Sequence, residues 1–141
     1  MNTPKISLES ILPHRNRMLL IEKVIKVDHN STVSSAVVSD RWPLVTQGSA
    51  SPIVMVELTA QTAGINNSIL RRTTRGEEDG TMGWIAGIKS AMFHIDSLPV
   101  GATLITRTQN NFAFDNFREV KGTVTLDETV AGEITLQLVS A

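Results

Sequence analysis

Glu57 is the one charged residue between Ser51 and Leu70, SPIVMVELTAQTAGINNSIL, and it is where this chain is best equipped to move a proton. Gln61 stands four residues on and Ser68 seven beyond that, so on a helix the three share one stripe, with Gly64 leaving a gap between them. Two readings of this pattern stay open. In one, Glu57 points into a wet crevice or is held by Gln61. In the other, an apolar pocket raises the proton affinity of its carboxyl into the range of a general acid or base near neutral pH. The wider inventory is short. The chain has no cysteine and no tyrosine, which removes thiol nucleophiles, thiolate metal sites, disulfides and phenolic acids, so proton chemistry falls to His, Asp, Glu or Lys. None of the three histidines, His14, His29 and His94, has a metal-ligand spacing with another, and no metal or cofactor is implied.

The element that must position Glu57 is a helix over residues 51–70. Ile53, Val54, Met55, Val56, Leu58, Ala60, Ala63, Ile65, Ile69 and Leu70 fall on nearly every side of it, which marks a core helix. Ser51 is placed to cap its first turn, and Pro52 suits the first helical position because the missing N–H has no partner there in any helix. Ahead of it, Ile6 to Leu12 reads as a short helix stopped by Pro13. Residues 18–27 and 32–38 read as a strand hairpin turning at Asp28-His29-Asn30-Ser31, and 40–50 reads as a loop. Arg71, Arg72 and Arg75 follow the helix at the negative end of its dipole, before a solvated turn at Gly76 to Gly80; three arginines beside a pocket could also dock an acidic partner. Four strands complete the chain, about 83–93, 103–112, 117–126 and 129–139, with Asp115-Asn116 and Asp127-Glu128 as turns.

This is an α+β pattern: one long central helix and about six antiparallel strands, a sheet that must wrap around the helix to bury it. The 141 residues, with no internal repeat or low-complexity linker, read as one domain, 1–141. A single sheet covers only part of a helix that is apolar on most sides, so a second layer is expected, most economically a partner subunit across a two-fold axis. The formal charge of -1 argues against a nucleic-acid or membrane surface, and no apolar run reads as a signal peptide or membrane span, which makes a cytoplasmic protein the expectation.

Taken together, Leu12-Pro13-His14-Arg15, Met18-Leu19-Leu20-Ile21-Glu22, the run from Pro52 to Gly64, Trp84-Ile85-Ala86-Gly87-Ile88 and Phe93 resemble, in order, the hot-dog-fold 3-hydroxyacyl-[acyl carrier protein] dehydratases of fatty-acid synthesis. The resemblance implies a hot-dog sheet around a central helix, a dimer or trimer of dimers, and removal of water from a 3-hydroxyacyl thioester by a histidine before the helix and a carboxylate on it. Glu57 matches the carboxylate. The histidine does not match: the family's His-Phe-Pro segment stands here as Arg41-Trp42-Pro43, and arginine stays protonated. The glycine whose N–H faces the developing enolate is here Pro52, which has no N–H, so the Ile53 amide or a shifted loop would replace it. His14, in the shared segment, is the alternative proton carrier; otherwise it caps the preceding helix or fixes the Arg15 loop. Arg41, Trp42, Ile53 and Gln61 are the expected substrate contacts.

Three functions compete: a dehydratase-like enzyme on acyl carrier protein or coenzyme A thioesters; a non-catalytic subunit that binds an acyl chain or completes a partner's site in a heterodimer; and a hot-dog thioesterase whose helix carboxylate activates water. The expected partners are thus an acyl thioester, acyl carrier protein, and a second subunit, alike or different.

Overall fold

A computed structural model describes residues 19–75 and 83–140. The expected short helix at Ile6 to Leu12, His14, and the turn at Gly76 to Gly80 lie outside the described residues. The central helix runs Val54–Arg75, so the three arginines after Leu70 belong to its last turns. Around it, β1 (Lys23–Val27), β2 (Ser31–Val37), β5 (Gly83–Phe93), β7 (Thr103–Phe114), β8 (Phe117–Leu126) and β9 (Thr129–Ser140) form a six-stranded sheet in the order β1-β2-β7-β8-β9-β5. Every neighbouring pair is antiparallel. This is the hot-dog arrangement. Among the described residues, no helix is long and apolar enough to cross a membrane.

The turns obey local chemistry. Asp127 and Glu128 both have positive φ between β8 and β9, as a two-residue hairpin loop requires, and Asp115 has positive φ between β7 and β8. Besides the helix, which runs Val54–Arg75 and not 51–70, two elements differ from the sequence reading. Residues 40–50 are not all loop: Gln47 and Gly48, both with positive φ, turn β3 (Val45–Thr46) back onto β4 (Ser49–Ala50), which pairs with β6 (Leu98–Pro99). The first strand begins at Lys23 and not Met18, because Leu20 and Ile21 turn into the core and the Leu20 amide bonds to a helix side chain.

Alternation along the sheet decides what faces the helix. Leu104, Thr106 and Thr108 of β7, Val120, Gly122 and Val124 of β8, and Ile134, Leu136 and Leu138 of β9 are buried. The helix comes so close that a Cβ added at Gly122 would run into Thr59, and one at Gly132 would sit 2.9 Å from the sulfur of Met55. The interface also holds hydroxyls: Ser34 Oγ and Thr62 Oγ1 share a hydrogen bond of 2.8 Å, while Thr59 and Thr62 donate to the carbonyls of Met55 and Leu58 one turn back.

Among the described residues β5 is one edge of the sheet and β1 the other. The register of β5 sets Ile85 opposite Leu138, Ile88 opposite Leu136 and Phe93 opposite Gly132, so these three apolar side chains point to the helix side. All three remain exposed, Ile88 at 53 %. Exposed apolar side chains therefore line this strand, in addition to Ile53 at the start of the helix and Phe112 and Phe114 at the end of β7.

Candidate active site

The helix is open to its surroundings along one stripe, Ile53, Glu57, Ala60, Gly64 and Asn67, at alternating intervals of four and three residues. Ile53 is exposed, and the other four are half-buried. Glu57 therefore sits one turn into the helix at the margin between core and surface. Its carboxylate accepts a 3.1 Å hydrogen bond from Nε2 of Gln61. Gln61 is fully buried, and its Oε1 accepts the Leu20 amide at 3.0 Å. That backbone contact fixes which end of the Gln61 amide is which, since the oxygen must face the N–H and the NH₂ must face Glu57. A neutral side chain thus links the carboxylate to the backbone leading into β1. Of the two readings of Glu57 in the sequence, the contact with Gln61 is present, and the carboxylate is only half covered.

The start of the helix is built as its sequence suggests. Ser51 Oγ accepts the Ile53 amide at 3.4 Å, and the amides of Val54, Met55 and Val56 close tight turns on the carbonyls of Ser51, Pro52 and Ile53. The Ile53 N–H is held by a long, exposed contact that an incoming oxygen would compete for. Arg41 is exposed in the preceding loop, where its amide donates to Ser39 Oγ at 3.1 Å. Trp42 lies in the core at 5 % exposure, so a ligand would meet its edge at most.

The two described histidines are elsewhere. His29 is exposed in the β1–β2 turn, and His94 Nε2 lies 2.9 Å from Glu133 Oε2 at the end of β5. A groove of about 390 Å³, lined by Lys26, Arg107, Gln109 and Lys121 among others, lies on the outer face of the sheet, away from Glu57.

The sequence reading passed over a second polar cluster further along the helix. Arg118 reaches from β8 to the Ala63 carbonyl at 3.0 Å, to Asn110 Oδ1 at 3.2 Å and to Asn66 Oδ1 at 3.4 Å. Asn66 in turn donates to the Asp28 carbonyl at 2.7 Å. No carboxylate pairs with Arg118 among the described residues, and burial lowers its pKa to about 10. The signal was available: Arg118 has the parity of Val120, Gly122 and Val124, so the alternation that sends those residues inward sends it inward too.

A family model described as ApeP-like, ApeP dehydratase, matches residues 6–141. Among solved structures, a chain of the dehydratase heterocomplex ApeI:P from Xenorhabdus doucetiae superposes with a TM-score of 0.89 at 23% identity, over 98% of this chain and 93% of that one. The uncharacterized protein PH1136 from Pyrococcus horikoshii superposes with a TM-score of 0.70 at 13% identity, over 100% and 95%. A hypothetical thioesterase with coenzyme A from Streptococcus pneumoniae superposes with a TM-score of 0.62 at 13% identity, over 84% of each chain. At these identities the superpositions establish a shared fold. Nothing among curated proteins matches the sequence.

Proposed function

The chain belongs to the ApeP-like dehydratase family, and on that premise we propose that it takes part in dehydrating 3-hydroxyacyl thioesters carried by acyl carrier protein or coenzyme A, with Glu57 exchanging a proton with the departing 3-hydroxyl. The observation that carries this reading is the Gln61 bridge. It helps to hold the carboxylate at a set place on the open stripe of a rigid helix, and positioning of that kind is what a general acid needs before its pKa matters. Loss of water from C2 and C3 also needs a group to take the C2 proton. Arg41 cannot be an ordinary base and serves instead at the mouth of the site, toward the polar arm of the thioester, with Ile53 and the edge of Trp42 beside it. The remaining proton carrier is His14 or a residue of a second hot-dog subunit.

One observation favours giving that second subunit a larger part. The helix-side apolar residues of β5 are exposed, and among the described residues the outer edge of that strand has no neighbour in the sheet, which suits pairing with another strand. A dimer formed through β5 would supply the missing layer. If its partner is a different dehydratase chain, as in the ApeI:P heterocomplex, the partner can bring the histidine that this chain lacks at Arg41. The test is turnover of 3-hydroxyacyl thioesters by the purified protein, with mass detection of products. Enoyl thioester is expected. Free acid alone would make it a thioesterase, and neither product, with tight acyl binding retained, would make it a partner-completing subunit.

A further inference from the structure

Arg118 is a half-buried cation that no carboxylate offsets among the described residues. Burial lowers its pKa to about 10, the direction expected where a charge is desolvated without a partner of opposite sign. Its three contacts, to Asn66 Oδ1, Asn110 Oδ1 and the Ala63 carbonyl, engage Nη1 twice and Nη2 once. A guanidinium carries five N–H donors, so the Nε N–H and one N–H of Nη2 have no acceptor among the described residues. A role in holding the helix does not account for the charge. The Ala63 carbonyl lies well inside Val54–Arg75, where the helix itself supplies an amide, and a neutral donor would serve Asn66 and Asn110 at less cost.

The place of Arg118 in the fold gives the charge a use. Met55 packs on Gly132, Thr59 on Gly122, and Ala63 meets Arg118, so the sheet under the helix leads from the Glu57 end to Arg118. Arg118, Leu138 and Ile85 stand opposite one another on β8, β9 and β5, and Val120, Leu136 and Ile88 form the next row toward Glu57. That ground is apolar, and its β5 side is exposed. At about 1.5 Å per residue, Ala63 and Asn66 lie roughly 9 and 14 Å beyond Glu57, beside Gly64 and Asn67 of the open stripe. A carboxylate at one end, an apolar strip between and an uncompensated guanidinium at the other suit an acyl chain that bears an anion at its far end. We propose that Arg118 is a specificity determinant: it receives an ω-carboxylate on a chain whose thioester end lies at Glu57, so that dicarboxylic acyl thioesters are preferred over plain alkyl ones. The planar fork of a guanidinium matches a carboxylate, which accepts two parallel N–H bonds from it. This rests on the placement of the thioester at Glu57 proposed above and deepens it by naming the acyl class.

Isothermal titration of the full chain with two coenzyme A thioesters, dodecanoyl and dodecanedioyl, tests it. With C–C bonds of about 1.5 Å, an extended chain from its third to its twelfth carbon spans roughly 11 Å, between the heights of Ala63 and Asn66. The dodecanedioyl thioester should bind at least about 10-fold tighter, the lower range for hydrogen bonds to a charged group. Arg118→Met, with its fold confirmed by circular dichroism, should bring the two affinities within about three-fold of each other. Equal binding by the wild type, a result that needs no variant to fold, would overturn the proposal, as would a preference that survives in Arg118→Met. The 3-hydroxy forms of the same thioesters separate this proposal from the dehydratase reading. A dodecanedioyl preference without enoyl product would overturn dehydration and leave the anion site standing, whereas enoyl product without any preference would overturn the anion site alone.

Discussion

Adding a methyl group at Gly122 should push the helix off the sheet at the point that sets Glu57. A Cβ built on Gly122 lies 2.6 Å from Thr59 Oγ1 and 3.0 Å from Thr59 Cβ, with Thr59 Cγ2 closer than either. Carbon atoms prefer roughly 3.5–4.0 Å, so strand and helix must part by about 1 Å. Thr59 is poorly placed to rotate away, because its hydroxyl donates to the Met55 carbonyl at 2.9 Å. Overpacking of this kind costs about 1–3 kcal/mol, and Gly122→Ala should show it in urea unfolding at fixed protomer concentration. Thr59→Ala deletes the two nearest atoms but leaves the Cβ contact, so the double variant should recover only part of the loss, with a coupling of about 1 kcal/mol or more. Turnover should follow the same order, since Glu57 stands half a turn before Thr59 on the same rigid helix. A Gly122→Ala protein within about 0.5 kcal/mol of wild type, or single effects that simply add, would refute the claim that Gly122 sets the helix position.

Three further outcomes follow from single contacts. Thr32 Oγ1 and Thr106 Oγ1 are buried without a hydrogen-bond partner among the described residues, so Thr32→Val and Thr106→Val should each leave stability unchanged or raise it by about 1 kcal/mol in chemical denaturation. Burial lowers the pKa of Arg118 to about 10, so the folded state binds that proton less tightly than the unfolded chain does; wild type should therefore gain stability relative to Arg118→Met as pH rises above about 10, with a constant difference below about pH 9. Denaturation across that range checks the sign, and a gap that stays flat or narrows the other way would contradict it. Arg41→Ala should weaken substrate binding and leave turnover at saturation within about ten-fold of wild type, because the role proposed for this exposed arginine is to position substrate without carrying its proton.

The strands were legible because alternation and turn residues act locally. Phe117 to Leu126 and Gly83 to Phe93 could be read to their ends, the first from the turns that bound it. The helix start was legible for the same reason, since Ser51 and Pro52 carry the signal themselves. What the sequence could not convey was pairing over distance. The Gln61–Leu20 bond joins residues 41 apart in sequence, and β4 finds β6 across the whole helix. Nor did hydrophobicity distinguish which apolar surface stays uncovered. Ile88 and Leu136 are opposite one another and comparably apolar, yet one is exposed and the other buried, because the helix packs more extensively on β9 than on the edge strand. The lone carboxylate on the helix was visible from the sequence, but Gln61 and Ser68, expected to share its stripe, are buried, and the open stripe runs instead through Ala60, Gly64 and Asn67; Arg118 follows the inward parity of its strand, a signal the apolar pattern alone did not bring out.

Glu57→Gln removes the titratable proton of the proposed catalytic carboxylate with little change of volume or hydrogen bonding. The measurement is the rate of enoyl-thioester formation from 3-hydroxyacyl thioesters by wild type and variant, with the oligomeric state of both confirmed by sedimentation. Loss of a general acid or base should lower the rate by at least about 100-fold, and stability should hold or rise as a titratable group leaves a half-buried site. Unchanged turnover in a destabilised variant would make Glu57 a structural partner of Gln61 and contradict its role in catalysis.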